Sequence, residues 1–436
     1  MLGVLLALLP MAFMDGFIAF LLWIFTTMLS PANYLYGFMM GFRYVFVFAG
    51  VAVMLLMLGR VQNKGKFQWN SSTVLLLIFV LHGMLSAAFA LQPNSLLAIR
   101  VDTFLKGMTL ALIAPFFLSS RWRIHVTILV LVLGLGLHAV VDGLKVIASG
   151  GAHNVIGVPN SSLTDNNLYA LGMAMLLPLL MYLYSYSAHK YAKLAAVGGV
   201  ILTILTIIGT NSRGGFVALA VVGFWFWIIS KRKITSLLVV AVLTFGVVQV
   251  ASDRWFDRIE SIKTADEDSS FMNRVAAWRV STSIANDNPI LGGGFNAVQN
   301  FWIWEEYKNR PSLFTVDVNN YTPKAAHSIY FQVLGDLGYV GLLIFLALLA
   351  SAFQARARVK SIVAKTGRGL WALDLSNAGC LSLVAFMAAG GGVSLAYFEL
   401  VYFLIIMISV LPTILMNETS LIEKEKRSSQ AIAGQR

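Results

Sequence analysis

Apolar residues recur along this chain in runs of about twenty, separated by short polar gaps, from near the first residue to beyond residue 410. A helix rising ~1.5 Å per residue needs about 20 such residues to cross the hydrocarbon core of a bilayer. The pattern predicts twelve crossings: 2–29 with an interruption around Pro10 to Gly16, 37–59, 72–91, 102–119, 124–148, 166–187, 194–209, 213–230, 234–250, 326–354, 373–391 and 395–414. The one long polar interruption is 251–325. The expected organisation is therefore nine crossings over 1–250, a loop over 251–325, three crossings over 326–416, and a polar, disordered cytoplasmic tail over 417–436.

Composition excludes a soluble globule, because 58% of the 436 residues are hydrophobic and only 12% are charged, too little polar surface to cover a domain of that size. The fold class is an all-α polytopic membrane protein. The net charge of +12 does not point to nucleic acid, since the cations fall in short clusters between apolar runs. Arg60, Lys64 and Lys66, then Arg121 and Arg123, Lys190 and Lys193, Lys231 to Lys233, Arg356 to Arg368 and Lys424 to Arg427 occupy every second gap. Basic residues in short loops mark the cytoplasmic side. The stretches 30–36, 92–101, 149–165, 210–212 and 251–325 are thereby expected outside. The first cation is Arg43, so the opening run lacks the basic leader of a cleaved signal peptide and is expected to stay. Cys380 is the only cysteine and reads as a small core residue.

Three outer segments carry candidate chemistry. In "GTNSRGGFVALAVV", residues 209–222, Arg213 stands at the mouth of an apolar helix, where the helix dipole disfavours a cation unless an anion lies between. Gly214 and Gly215 would let that anion approach the free backbone N–H groups, as phosphates do at helix starts. The competing reading is an interfacial anchor reaching to headgroups. In the loop, Asp and Ser caps followed by helical spacing predict a helix over 271–285 ending before Pro289, with Arg274 in its first turn, Trp278 on the same face and Arg279 rotated away. Arg274 could instead pair with Asp266, Glu267 or Asp268. His327 opens the next crossing, and a histidine neutral near pH 7 can take a proton from a hydroxyl; alone, it reads equally as an interfacial polar residue. The acidic cluster at 265–268 lacks a second set of carboxylates, so no metal and no cofactor is expected, and no Gly-rich strand-to-helix motif calls for a nucleotide sugar.

An SRGG at a helix mouth, a long outer loop with Arg and "NPILGGGFN", and a helix led by "HSIYFQVLGDLGYVG" together resemble the O-antigen ligase and O-antigen polymerase superfamily over residues 205–345. Upstream, "GVPNSSLTDNNLYALGMAMLLPLL" and "SPANYLYGF" resemble the branch that includes exosortase-associated O-glycosylation ligases. The resemblance implies a membrane glycosyltransferase of the C type. A glycan on undecaprenyl diphosphate would move, with inversion and without metal, to an acceptor hydroxyl such as that of the lipid A core, on the periplasmic side of the bacterial inner membrane. Arg213 and Arg274 would hold the diphosphate and His327 would be the base. Arg43, Arg100, Lys106, Arg279 and Lys324 are further candidates for phosphate or glycan contacts, Lys106 and Arg279 foremost, with headgroup binding or topology as the alternative. A polymerase, a protein O-glycosylation ligase and, from another class, a lipid-linked sugar transporter remain open; a transporter would show repeated halves and mid-membrane ionisable residues, and neither is visible.

Overall fold

The computed structural model describes residues 10–93, 95–229, 233–234 and 269–433, and no β-strand occurs among them. After a short helical segment at 10–14, the described residues form α1 (Gly16–Leu29), α2 (Tyr44–Met57), α3 (Ser71–Ala88), α4 (Ser95–Phe117), α5 (Arg121–Ala148), α6 (Asn166–Tyr186), α7 (Lys190–Gly209), α8 (Arg213–Ile229), α9 (Ser269–Asp287), α10 (Phe301–Tyr307), α11 (Ile329–Thr366), α12 (Leu370–Gly390) and α13 (Glu399–Ala433). Among these residues, α3, α5, α6, α7, α11, α12 and α13 are long and apolar enough to cross a membrane, and α1, α2 and α8 are shorter apolar helices. The expected crossing at 234–250, beyond its first residue, and the acidic cluster at 265–268 lie outside the described residues, as does the start of the crossing at 2–29.

The interruption in the first crossing is a helix start: Asp15 is extended and its side chain accepts from the Phe17 backbone N–H. At the other end of the chain, the tail expected to be disordered beyond Asn417 continues as helix to Ala433. No glycine or proline between Pro412 and Gly434 stops it. α11 likewise outruns its expected end by twelve residues, because the first helix-stopping residue beyond 354 is Gly367.

α6 and the first half of α13 are apolar all round and lie buried at the centre, with Leu400 to Leu411 almost wholly shielded by other helices. α6 packs against α7 and α12, α13 against α4 and α11, α1 against α2 and α5, and α8 against α12. In hydrocarbon, buried hydroxyls need partners within the bundle. Ser72 and Ser351 bond across α3 and α11 at 2.7 Å, Ser382 of α12 donates to the Met175 carbonyl of α6 at 2.7 Å, and Thr206 of α7 donates to the Ala139 carbonyl of α5 at 2.8 Å.

Alternate gaps gather at opposite ends, as the charge pattern requires. At one end Gly65 N–H donates to the Phe116 carbonyl, Arg121 lies over the Trp371 ring at 5.6 Å, and Tyr186 donates to Asp374 at 2.6 Å. At the other, Asn33 donates to the Pro159 carbonyl at 2.8 Å, Val155 N–H to the Gly209 carbonyl, and Ser162 to Glu399 at 3.0 Å.

α11 contains a break. Gly338 has φ 71° and ψ −173°, which no helix contains, and the ladder there is replaced by partners from residues 288–294. Gly293 and Gly294 N–H donate to the carbonyls of Gly335 and Asp336, and Tyr339 N–H donates to that of Pro289. Ser86 and His82 of α3 complete the set, at 2.8 Å from the Asp336 carbonyl and 3.0 Å from that of Leu337. The "NPILGGGFN" turn is thus inserted into an opened helix. A Cβ on Gly292, φ 67°, would lie 2.5 Å from the Gly338 nitrogen, and one on Gly338 would lie 2.7 Å from the Pro289 oxygen.

From 269 onward the loop is folded. α9 and α10 enclose a small core of their own around Ala276, Val280, Ile284, Trp304 and Tyr307. Gly292→Ala and Gly338→Ala should each lower stability by more than the ~1–2 kcal/mol that a left-handed backbone costs a residue with a Cβ, since the methyl group also meets backbone atoms. Thermal melting in detergent reads this; an unchanged midpoint for both variants would mean that the insertion bears no strain.

Candidate functional site

The site is assembled from helix starts at the end of the bundle away from the main basic clusters. Asp165 caps α6, its Oδ1 accepting from the N–H groups of Asn167 and Leu168 at 2.8 and 3.0 Å. The two asparagines that follow reach the turn before α8. Asn166 donates to the Thr210 carbonyl at 2.9 Å, and Asn167 accepts from the Ser212 hydroxyl at 2.8 Å. Ser212 in turn accepts from Gly215 N–H at 3.2 Å, so "TDNN" fixes the first turn of the helix that Arg213 opens.

That turn faces the residues after α12. A Cβ on Gly214 would stand 3.7 Å from the Ala389 oxygen, and one on Gly392 would stand 3.6 Å from Nη1 of Arg274. A Cβ on Gly390 would meet Ile329, two residues beyond His327, at 2.5 Å. The start of α8, Arg274 in the second turn of α9 and the start of α11 therefore converge on one glycine turn at 389–392. Side chains larger than hydrogen would fill the space where they meet.

His327 is held from both sides. Trp278 donates from Nε1 to the Ala326 carbonyl at 2.7 Å and stacks on Phe331, ring centres 5.0 Å apart. Tyr330 donates to the Met387 carbonyl at 2.8 Å. The backbone of His327 sits at φ 44°, a left-handed conformation that costs a residue with a side chain energy and that persists where neighbours over-determine it. Burial, and then the charge of Arg274, lower the pKa of His327 below its ordinary value, with Lys324 acting in the same sense and Asp165 opposing. The imidazole is accordingly neutral at pH 7, the state that can accept a proton.

Beside His327 lies a cavity of about 590 Å³. Its walls come from α1 (Trp23, Thr27), α4 (Arg100, Thr103, Lys106, Gly107), the 160–165 loop (Asn160 to Ser162, Thr164, Asp165), the inserted turn (Phe295, Asn296, Gln299), the start of α11 (Gln332, Asp336) and residues 394–399. Of the residues singled out in the sequence, His327, Arg100 and Lys106 line it, and Lys106 is ion-paired with Asp102 one turn earlier. Lys324 acts on His327 electrostatically, and Ala325 beside it reaches the wall. Gly214 and Arg274 stand at the 389–392 turn and Gly215 packs against Ala170 and Ile207; neither these nor Arg213 is part of the wall. Arg279 donates to the Val316 carbonyl, tying α9 to the far side of its loop, and Arg43 stands exposed just before α2 without a side-chain capping bond; neither lines the cavity.

Asp165, Gln332, Asp336 and Glu399 were not singled out in the sequence, and neither was the glycine turn. The signal for the turn was present as Gly390 to Gly392 between two apolar runs. The cavity residues carry no local signal, because each reads as an ordinary cap or helix position.

Fold and site define a polytopic helical membrane protein with a charged, hydroxyl-lined cavity at one end and a neutral histidine at its edge. Residues 198–346 match the family model described as O-Antigen ligase, a segment that spans α8, α9, the inserted turn and the start of α11. That family is one of glycosyltransferase-type ligases, with lipid-linked glycan and acceptor substrates in general. Residues 1–188 match a family of unknown function (DUF5935). No curated protein matches the chain.

The sign of the His327 shift can be read chemically. Diethyl pyrocarbonate modifies the neutral imidazole, so modification of His327, followed by peptide mass spectrometry, should rise with pH around a midpoint below the ordinary histidine value. Arg274→Gln should move that midpoint up and Asp165→Asn should move it down. A midpoint above the ordinary value in the unaltered protein would contradict the arrangement.

Proposed function

We propose that this protein transfers a glycan from undecaprenyl diphosphate to an acceptor hydroxyl, the lipid A core being the first candidate, on the periplasmic side of the bacterial inner membrane. The observation that carries the reading is the meeting of the α8 start, Arg274 and the start of α11 at the 389–392 turn, within a chain whose segment 198–346 matches the ligase family. Two guanidinium groups with forked donors suit a diphosphate. A neutral histidine held in a fixed backbone conformation suits a hydroxyl.

In the reaction, the acceptor oxygen attacks the anomeric carbon and its proton passes to His327. The bond from that carbon to the phosphate oxygen breaks, its electron pair leaves with undecaprenyl diphosphate, and Arg213 and Arg274 stabilise the added charge. One displacement inverts the configuration. The arginines supply the charge that a divalent ion supplies in other transferases. The polyprenyl chain stays in lipid, so the donor enters sideways and membrane lipid is part of the site's surroundings; Gly214 and Gly215 leave room for phosphate at the α8 start.

The same donor chemistry serves a polymerase or a protein O-glycosylation ligase, and the surface glycans of a deletion strain separate the three. Lipid A core without O-antigen supports the ligase, attachment of a single repeat supports a polymerase, and unglycosylated surface protein supports the third. An accumulation of donor on the cytoplasmic face would instead support a transporter.

Arg213→Ala and Arg274→Ala should each reduce transfer by ~10²-fold or more, the scale for losing one donor to developing charge, at normal expression and melting temperature. Arg213→Lys should recover only part, as a point charge lacks the fork. Full activity of either alanine variant removes that residue from the site.

His327→Ala should leave undecaprenyl diphosphate binding intact and abolish transfer, with the loss in kcat. A loss of donor affinity in proportion to activity would make it a phosphate ligand instead of the base.

A further inference from the structure

α10 divides its side chains between two surroundings. Ile303, Trp304 and Tyr307 are buried in the loop's own core, whereas Phe301 and Trp302 at its beginning are 55% and 69% exposed. A phenyl ring and an indole side by side are costly to leave in water. The exposed residues one turn later are ionic and paired: Lys308 donates to Glu305 at 2.6 Å and Arg310 to Glu306 at 2.8 Å. The uncovered face of this helix is therefore apolar at one end and charged at the other.

What covers the apolar end follows from where it stands. Val74, Ile78, Leu81 and Leu85 of α3, with Phe89 just after it, are exposed and recur every three or four positions, one apolar stripe that in a spanning helix faces acyl chains. A second stripe, Tyr339, Val340, Leu343 and Leu346, begins directly after the break in α11. The segment leading into α10 is joined to the cavity-side ends of both. Leu91 N–H donates to the Gly293 carbonyl, a Cβ on Gly294 would stand 2.5 Å from that of Ala90, and Tyr339 N–H donates to the Pro289 carbonyl. Ile290, inside that segment, is exposed, and a small groove brings Asn300 and Ile303 of the α10 start against Leu96 and Leu97 of α4. α3 has 18 residues, a rise of about 27 Å, so its end at Ala88 reaches the edge of a hydrocarbon core about 30 Å thick. The start of α10 thus stands where the lipid-facing stripes end, the level at which aromatic rings collect in membrane proteins.

We propose that α10 is an interfacial helix whose partner is the bilayer itself, with Phe301 and Trp302 entering the headgroup and upper acyl region of the leaflet on the cavity side. Their grip is passed on through Asn300, whose side chain accepts from the N–H groups of Trp302 and Ile303 at 2.9 and 3.3 Å. Directly before Asn300 lie Phe295, Asn296 and Gln299 of the cavity wall, so the lipid surface holds that part of the wall in place. The inference is independent of which group the protein transfers.

The test uses the full chain in phosphatidylcholine nanodiscs, with Cys380→Ser removing the native thiol and a nitroxide attached to one new cysteine at a time: Phe301→Cys, Trp302→Cys, Glu305→Cys or Glu306→Cys. Leu81→Cys on the α3 stripe and Asn319→Cys on the exposed loop are the references. Relaxation of the label by oxygen, which concentrates in hydrocarbon, is compared with relaxation by a water-soluble nickel chelate. The oxygen-to-nickel ratio at positions 301 and 302 is expected to fall between the two references and several-fold above that at 319, while the ratio at 305 and 306 matches 319. The proposal is overturned if 301 and 302 also match 319, which would leave the rings in water, or if both agents are excluded there, which would mean that protein covers them. A double variant, Phe301→Ser with Trp302→Ser, gives a second readout. Its amide exchange at 295–299 should rise ~10-fold or more in nanodiscs, with exchange in α6 unchanged as the sign that the bundle is folded. Unchanged exchange at 295–299 would overturn the anchoring of the wall.

Discussion

A backbone polar group inside a membrane protein has no water to turn to, and an opened helix exposes several at once. The break in α11 at Gly338 is stable because residues 288–294 fill it with N–H and C=O groups of their own, aided by Ser86 and His82. Much else depends on that exchange. It draws the inserted turn into the bundle, where Phe295, Asn296 and Gln299 become cavity wall. It also seats α9, and with it Arg274 and Trp278, over the first turn of α11, so that the residue before His327 is gripped by the indole. The two glycines that meet back to back there, Gly292 and Gly338, are required by φ and by contact together.

The polar groups of the site are distributed by cost. Charges placed at helix starts work against the dipole unless something negative is held there, and Arg213, the first residue of α8, is so placed; Arg274, expected in a first turn, falls in the second turn of α9 because that helix begins two residues earlier, at Ser269. The carboxylates lie elsewhere, on the cavity side: Asp165 is satisfied by two backbone N–H groups, and Asp336 accepts from the Tyr397 hydroxyl at 3.1 Å. Separating the two sets keeps a neutral imidazole at their boundary, with Arg274 pushing its proton off and Asp165 partly compensating.

Helices with a run of apolar residues and a cap were legible in the sequence to within a few residues. The run at 166–187 is the helix Asn166–Tyr186, and the spacing at 271–285 is the helix Ser269–Asp287. What the sequence hid was tertiary in origin. Gly338 stands in a mainly apolar run interrupted only by Gln332 and Asp336, and only the arrival of 288–294 makes it a break. Asp165 looks like any helix cap, and the segment that brings it to a cavity lies more than 200 residues away, at 394–399. Arg279 shows the reverse: a cation in the right loop, it is spent on the Val316 carbonyl. The helix continuing past Asn417 was missed because polarity was read as disorder, although nothing in that stretch stops a helix.

The inserted turn also sets an order of assembly. Its hydrogen-bond partners at 335–339 are made after it, so during synthesis residues 288–294 leave the membrane before the helix that will receive them exists. The loop's own small core around Trp304 can form early, but the turn has to wait until α11 has been made and opened. Until the turn is seated in the opened helix, the cavity lacks the part of its wall that Phe295, Asn296 and Gln299 supply. A chain whose α11 has not yet opened is therefore a chain whose cavity is incomplete.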